Sequence, residues 1–273
     1  MKLIILILLF PIVVNVESQS LKMPISSRHT GLGAYSKNFT DVFSFTANQA
    51  ALVEAKRLEV GIYCEKRFLL AATNLYTAVL ITPLAANKQG CIGIAAGYFG
   101  FANYNESELG LAYAKSLGKI NLGIKFNYFN LRIPGYGSSS TLDFELGGIV
   151  RLTQKVFAGL EIYNPVGGRL NKTNDKIRSA YKYGMGYEAS ENFFIGMEII
   201  KEEDVPININ TGIQYNWMKQ FYFRLGVATE TASSYIGSGF SLKSLQFEIM
   251  GSYHPQLGFS PGLMLIFHPG VKE

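Results

Sequence analysis

Lys119-Ile120-Asn121-Leu122-Gly123-Ile124-Lys125-Phe126-Asn127-Tyr128 alternates without a break. Ile120, Leu122, Ile124, Phe126 and Tyr128 share one parity; Asn121, Gly123, Lys125 and Asn127 share the other. Successive strand side chains point to opposite faces, so this is a strand with one oily face and one polar or very small face. A helix would repeat near every 3.6 residues instead. Outward from this stretch the pattern recurs. Leu142, Phe144, Leu146, Val150 and Leu152 oppose Asp143, Glu145, Gly147 and Arg151; Ile207, Ile209, Ile213 and Tyr215 oppose Asn208, Asn210, Gly212 and Gln214. Phe221, Phe223, Leu225 and Val227 oppose Tyr222, Arg224, Gly226 and Ala228, and Leu245, Phe247 and Ile249 oppose Gln246, Glu248 and Met250.

About fourteen such segments, each about ten residues long, start near residues 57, 75, 90, 105, 119, 141, 155, 179, 192, 206, 219, 234, 244 and 258. Tilted membrane-crossing strands need ~9–11 residues, and single-chain bacterial outer-membrane barrels use an even number. Hydrocarbon leaves no backbone N–H or C=O unpaired, which a closed sheet alone satisfies with strands. The sequence therefore predicts an all-β fold: a transmembrane antiparallel β-barrel of about fourteen strands, with an N-terminal plug-like segment. The alternative is a secreted sandwich or eight- to ten-stranded calyx. Pro83 to Lys88, Ser116 to Gly118, Thr153 to Lys155, Ala189 to Glu191 and Leu242 to Ser244 read as tight inner turns. Ile133 to Ser140 and Asn164 to Arg178 read as longer outer loops. Tyr163, Tyr187, Tyr215, Trp217 and Tyr253 are candidates for interfacial aromatic girdles.

Composition agrees. Only 16% of the 273 residues are charged while 48% are hydrophobic, with 28 Gly, 16 Tyr and 19 Phe, so disorder is excluded. The formal charge is +5, but Lys and Arg are scattered rather than gathered on one face, and nucleic acid is not an expected partner. Met1-Lys2, the apolar run Leu3–Val14 and Val16-Glu17-Ser18 read as a secretory signal peptide over residues 1–18. Residues 19–56 then form a plug or periplasmic cap, and residues 57–268 the barrel. Within the plug, 41–52 has room for a short helix capped by Asn48.

Asp41, Ser44, Asn48, Ala50 and Leu52 fall on the D-x-x-S-x-x-x-N-P-A-G-L signature that precedes the first strand in PorV/PorQ-type proteins. Those proteins belong to the FadL-like (long-chain fatty-acid transporter) superfamily of outer-membrane barrels. Gln49 stands where many members have Pro, and Ala51 where they have Gly. Tyr128 to Ser140 and Glu161-Ile162-Tyr163-Asn164-Pro165 are similar to shorter Bacteroidota members. The resemblance implies an outer-membrane location and a plug motif at Asp41, Asn48, Gln49, Ala50 and Leu52. It also implies an accessory or docking role in protein export of the type IX secretion kind, with envelope or secretion proteins as partners. The alternative it implies is passive transport of a hydrophobic small molecule, and outer-membrane lipid is a partner in either case.

Chemistry is sparse. His29, His254 and His268 have no ligand spacing, so no metal is expected. No nucleophile elbow, phosphate loop or dinucleotide fingerprint occurs, so no catalytic residue and no cofactor is expected. A lipid-modifying Ser–His enzyme is the third reading, with His254 as its one candidate. By parity Cys64 faces outward and Cys91 inward, which predicts two free thiols. The inward parity collects Glu59, Glu108, Lys125, Asp143, Glu145, Arg151, Glu161, Lys182, Glu188, Glu198, Arg224 and Glu248. Such a mixture predicts a salt-linked lumen that binds barrel and plug together. A lateral opening, if transport is the role, is expected where Pro83 or Pro261 cannot donate a ladder bond.

Overall fold

The computed structural model describes residues 32–71, 73–84, 90–168, 177–218, 220–230 and 232–270. The signal peptide expected over 1–18, and His29, lie outside them. Fourteen strands follow one another: β1 (Glu59–Lys66), β2 (Asn74–Pro83), β3 (Gly90–Phe101), β4 (Tyr104–Leu117), β5 (Ile120–Ile133), β6 (Gly137–Arg151), β7 (Val156–Tyr163), β8 (Ala180–Glu188), β9 (Phe193–Glu202), β10 (Asn208–Trp217), β11 (Phe221–Ala228), β12 (Ser233–Ser241), β13 (Leu245–His254) and β14 (Gly258–Phe267). Each pairs antiparallel with the next, and β1 closes on β14 from Val60 opposite Phe267 to Glu65 opposite Gly262. The result is a closed fourteen-stranded barrel.

The founding alternation decides the faces. On β5, Phe126 and Tyr128 are exposed while Lys125, Asn127 and Phe129 are buried. The same holds round the barrel: Leu109, Leu142, Tyr183, Ile236 and Ile249 stand exposed on the outside. Among the described residues no second layer covers this apolar surface, which far exceeds the few hundred Å² that soluble monomers leave open. The sandwich alternative is thereby set aside. Tyr187, Tyr215, Trp217 and Tyr253 lie on the outer face. Tyr163 does not: it is 1% exposed and turned into the lumen. The parity of β7 fixes this, since Phe157 and Glu161 on the same parity are also buried.

Thirteen strands begin within two residues of the expected positions. The exception is β6, which starts at Gly137 instead of near 141. Residues 138–140 are compositionally loop-like, yet Ser138 pairs with Arg132 and Ser140 with Asn130. Cross-strand pairing to β5 overrides local preference there. Only 134–136 remain as the turn, with Gly135 at φ 88°. The expected sorting of short and long connections therefore reduces to one long connection, 164–179, between β7 and β8.

Candidate functional site

Residues 32–56 lie inside the barrel. They form 3-10 turns at Gly33–Tyr35, Ser44–Thr46 and Gln49–Glu54. Asn48 caps the last, its side chain accepting from the Ala50 N–H at 3.1 Å. Leu32, Tyr35, Phe39, Val42, Phe43, Phe45 and Leu52 are buried. Each such side chain contributes roughly 1.5–3 kcal/mol by leaving water.

The wall makes room for them with glycine. A Cβ at Gly184 would stand 1.9 Å from Tyr35 Cζ, one at Gly123 2.5 Å from the Gln49 carbonyl carbon, and one at Gly147 2.4 Å from Asn48 Oδ1. Gly61 faces Val42 and Phe43, Gly93 faces Leu52 and Phe45, Gly159 faces Tyr35 and Gly196 faces Leu32. The inward glycines of β1, β3, β5, β6, β7, β8 and β9 thus form a socket shaped to one segment.

Polar contacts tie segment to wall. Gln49 Nε2 donates to Glu145, and to Glu161 Oε1 at 3.2 Å. Asn48 Nδ2 donates to the Leu160 carbonyl at 3.2 Å. Lys182 Nζ sits 2.5 Å from Glu161 Oε2 and reaches the Ala47 carbonyl at 3.3 Å. Tyr35 OH donates to Glu198 at 3.0 Å. Burial first, then the Glu198 charge, hold that phenol well above its ordinary range, so it stays a donor. Glu188 accepts from Ser36 Oγ at 2.6 Å, from the N–H groups of Lys37 and Asn38 at 2.7 and 3.0 Å, and from Asn38 Nδ2 at 2.6 Å. Arg224 Nη2 donates to Asp41 at 3.0 Å, and Nη1 lies 3.2 Å from Glu248.

The remaining charges behave differently. Lys125 Nζ is 2.7 Å from Glu108 and 3.4 Å from Glu145, while Asn127 Nδ2 donates to Asp143 and Glu145, each at 2.8 Å. These groups knit wall to wall on β4, β5 and β6. Glu59 is 3.9 Å from Arg57 and 3.8 Å from His268, at the end where β1 begins and β14 finishes. Burial, helped by Arg57, holds the His268 imidazole below its usual range. Arg151 lies over the Phe157 ring at 5.7 Å. His254 Nδ1 accepts from the N–H groups of Gln256 and Leu257 in a hairpin turn. Cys64 and Cys91 are both free, Cys91 being buried.

Sequence reasoning missed one feature. Strand β6 pairs with β7 only from Glu145 opposite Tyr163 to Arg151 opposite Phe157. Among the described residues, 137–144 have no strand partner on that side, although the Asn164 N–H still reaches the Phe144 carbonyl at 3.1 Å. Asn164, at φ 47°, clasps the connection: Nδ2 donates to the Ile177 carbonyl at 2.7 Å, and Oδ1 accepts from Gly168 N–H at 2.9 Å. Behind this seam Phe129, Tyr163, Ile177 and Ala180 form a buried apolar cluster. In front of it stand Leu142 and Val166, 71% and 75% exposed. Pro83 marks no such break and pairs in register with Cys91. Pro261 pairs with Gly251 on one side, but on the other the β1–β14 ladder stops at Glu65 opposite Gly262, so among the described residues 258–261 have no β1 partner. The signal was the unequal length of apolar alternation in β6 and β7.

No family model and no curated protein matches the sequence. Solved structures do match in fold. The CymD monoaromatic hydrocarbon channel superposes with a TM-score of 0.62 at 13% identity, covering 90% of this chain and 97% of that one. A Pseudomonas aeruginosa FadL homologue gives 0.59 at 10% identity, over 88% and 96%. The Pseudomonas putida toluene transporter TodX gives 0.57 at 9% identity, over 83% and 92%.

Proposed function

We propose that this chain is an integral outer-membrane barrel, exported by a leader over residues 1–18, that passively transfers small hydrophobic molecules toward the bilayer. Residues 19–56 act as its plug and 57–268 as its wall. The observation that carries the reading is the seam between β6 and β7. It is closed by the Asn164-clasped connection instead of a strand, with apolar side chains directly inside and outside. An apolar solute partitions favourably along such a path at roughly 25 cal/mol per Å² of surface removed from water. The plug blocks the straight route, which leaves the sideways one. The three structural neighbours, a monoaromatic hydrocarbon channel, a toluene transporter and a FadL homologue, support the same reading.

The test is toluene uptake by cells expressing the full chain, in a background where Cys64 and Cys91 are serine. A Cβ at Gly168 would lie 3.5 Å from Thr141 Oγ1, so the pair Thr141→Cys and Gly168→Cys can be bridged across the seam. Uptake should exceed that of vector-only cells, fall on oxidation of the double-Cys variant, and return with reductant. Uptake equal to vector-only cells defeats the proposal.

A lumen that holds an inserted segment also suits a closed accessory barrel in protein export. That second reading draws on the resemblance of residues 41–52. It requires envelope or secretion proteins to co-isolate from native membranes, and solitary purification under gentle extraction counts against it.

A further inference from the structure

The glycine socket runs from β1 to β10, where Leu32 meets Gly212, and the plug leaves a space beyond it. Between residues 38–41 and the facing side chains of β10–β13 lies a cavity of about 170 Å³. It sits at the end of the barrel where β10 and β12 finish and β11 and β13 begin. A cavity of that size takes several waters or a small ring.

The lining chemistry is selective. Gln214, Asn216 and Gln246 present carboxamides, and Ser241 a hydroxyl. Gln214 Nε2 donates to Asn216 Oδ1 at 3.0 Å, and Gln246 Nε2 donates to Tyr222 OH at 2.8 Å. An amide carries two donor hydrogens and two acceptor lone pairs. Asn216 Nδ2, Gln246 Oε1 and the Ser241 hydroxyl therefore keep unused donors and acceptors side by side. At the cavity's inner wall Arg224, 4% exposed, uses Nε on Gln214 at 2.9 Å and Nη2 on Asp41. Its Nη1 lies 3.2 Å from Glu248, which is outside the cavity lining.

Charge narrows the class further. Asp41 already pairs with the one guanidinium that lines the cavity, which leaves no net positive charge to draw an anion. A hydrocarbon would strand the amides without partners, at about 1–3 kcal/mol each. Tyr222 also lines the cavity, its ring packed beneath the Arg224 guanidinium at 5.1 Å. We propose that this cavity is a binding site for a small neutral polyhydroxylated ligand, a single sugar ring or a polyol of that size. Such a ligand meets dense donors and acceptors with donors and acceptors of its own. This site is separate from the seam and does not depend on hydrocarbon transfer.

The experiment uses the full chain in an amine-oxide detergent, which carries no sugar headgroup. D-glucose, N-acetyl-D-glucosamine and glycerol are titrated by calorimetry, with sodium acetate and toluene as contrasts. At least one of the three hydroxylated probes should bind saturably, one per chain, and acetate should not. Ser241→Tyr, which fills the cavity from its rim, and Gln246→Leu should each weaken that binding about tenfold or more while the barrel stays heat-modifiable on gels. Absence of saturable binding by all three probes overturns the proposal, as does binding that neither variant alters. Toluene uptake is scored in parallel, so loss of one reading is distinguishable from loss of the other.

Discussion

Arg224 on the barrel wall and Asp41 on the inserted segment form an ion pair at 3.0 Å, with side chains 4% and 7% exposed. The pair joins two parts of the chain 183 residues apart. Removing one partner leaves a buried charge uncompensated, at about 3–5 kcal/mol in a site of this kind. Arg224→Met strips both Asp41 and Glu248 of their cation, whereas Asp41→Asn leaves the Arg224–Glu248 contact in place. Thermal unfolding in detergent should therefore show a larger loss for Arg224→Met than for Asp41→Asn. The double variant should lose less than the sum of the two. Equal losses in the single variants would mean that Glu248 does not share the charge.

The glycine socket predicts a plug that can be dislodged without breaking the wall. Gly184→Val places carbon where the Tyr35 ring already stands. The sheet accepts valine readily, so the barrel should persist. Residues 32–56 should become sensitive to protease, and conductance across a planar bilayer should rise. Gly97→Ala is the control: its Cβ would meet nothing nearer than Glu108 Cβ at 3.7 Å. It should leave protease resistance and conductance unchanged.

Much of this was legible from alternation alone. Strand number, facing and the closed wall follow from parity, because a side chain at the wrong parity would put Lys125 or Glu145 into hydrocarbon. On the same parity Lys125, Asp143, Glu145, Glu161, Glu188, Glu198, Arg224 and Glu248 are buried. What parity does not carry is which charge meets which. Glu188 holds residues 36–38 and Lys125 holds the wall, yet both read identically along the sequence. The inward position of Tyr163 was legible in principle, but its place at the end of β7 resembled a girdle position. The seam was hidden because it arises from strand β7 stopping early, and sequence gives strand ends less sharply than strand centres.

Glu54, on the 3-10 turn Gln49–Glu54, supplies a pH dependence. Burial, opposed by Arg151 and by a hydrogen bond from Asn121 at 3.3 Å, holds its carboxyl above the ordinary 4.5. A carboxyl raised in the folded state binds its proton more tightly there than in the unfolded chain. The inserted segment is then favoured below that folded-state value and loses this contribution as pH rises through it. Glu54→Gln keeps an amide acceptor for Asn121 but never ionises. The variant and the parent should unfold alike in acid, and the variant should be the more stable at neutral pH and above. Thermal unfolding measured from about pH 4 to pH 9 checks this. A variant less stable than the parent at neutral pH would show that the Arg151 attraction outweighs burial.

Asn164 separates backbone strain from side-chain bonding at the seam. Its φ of 47° is left-handed, which costs a non-glycine residue of ordinary type roughly 1–2 kcal/mol. Its side chain also holds Ile177 and Gly168. Asn164→Ala loses both bonds and takes on the conformational cost. Asn164→Gly loses the bonds but suits the backbone. Alanine should thus destabilise more than glycine, by about 1 kcal/mol, in equilibrium unfolding. Both variants free the connection from its clasp, so both should take up toluene faster than the parent if the clasp is what holds the seam shut. Uptake that tracks stability instead, with the alanine variant altered and the glycine variant not, would assign Asn164 to folding and move the route elsewhere.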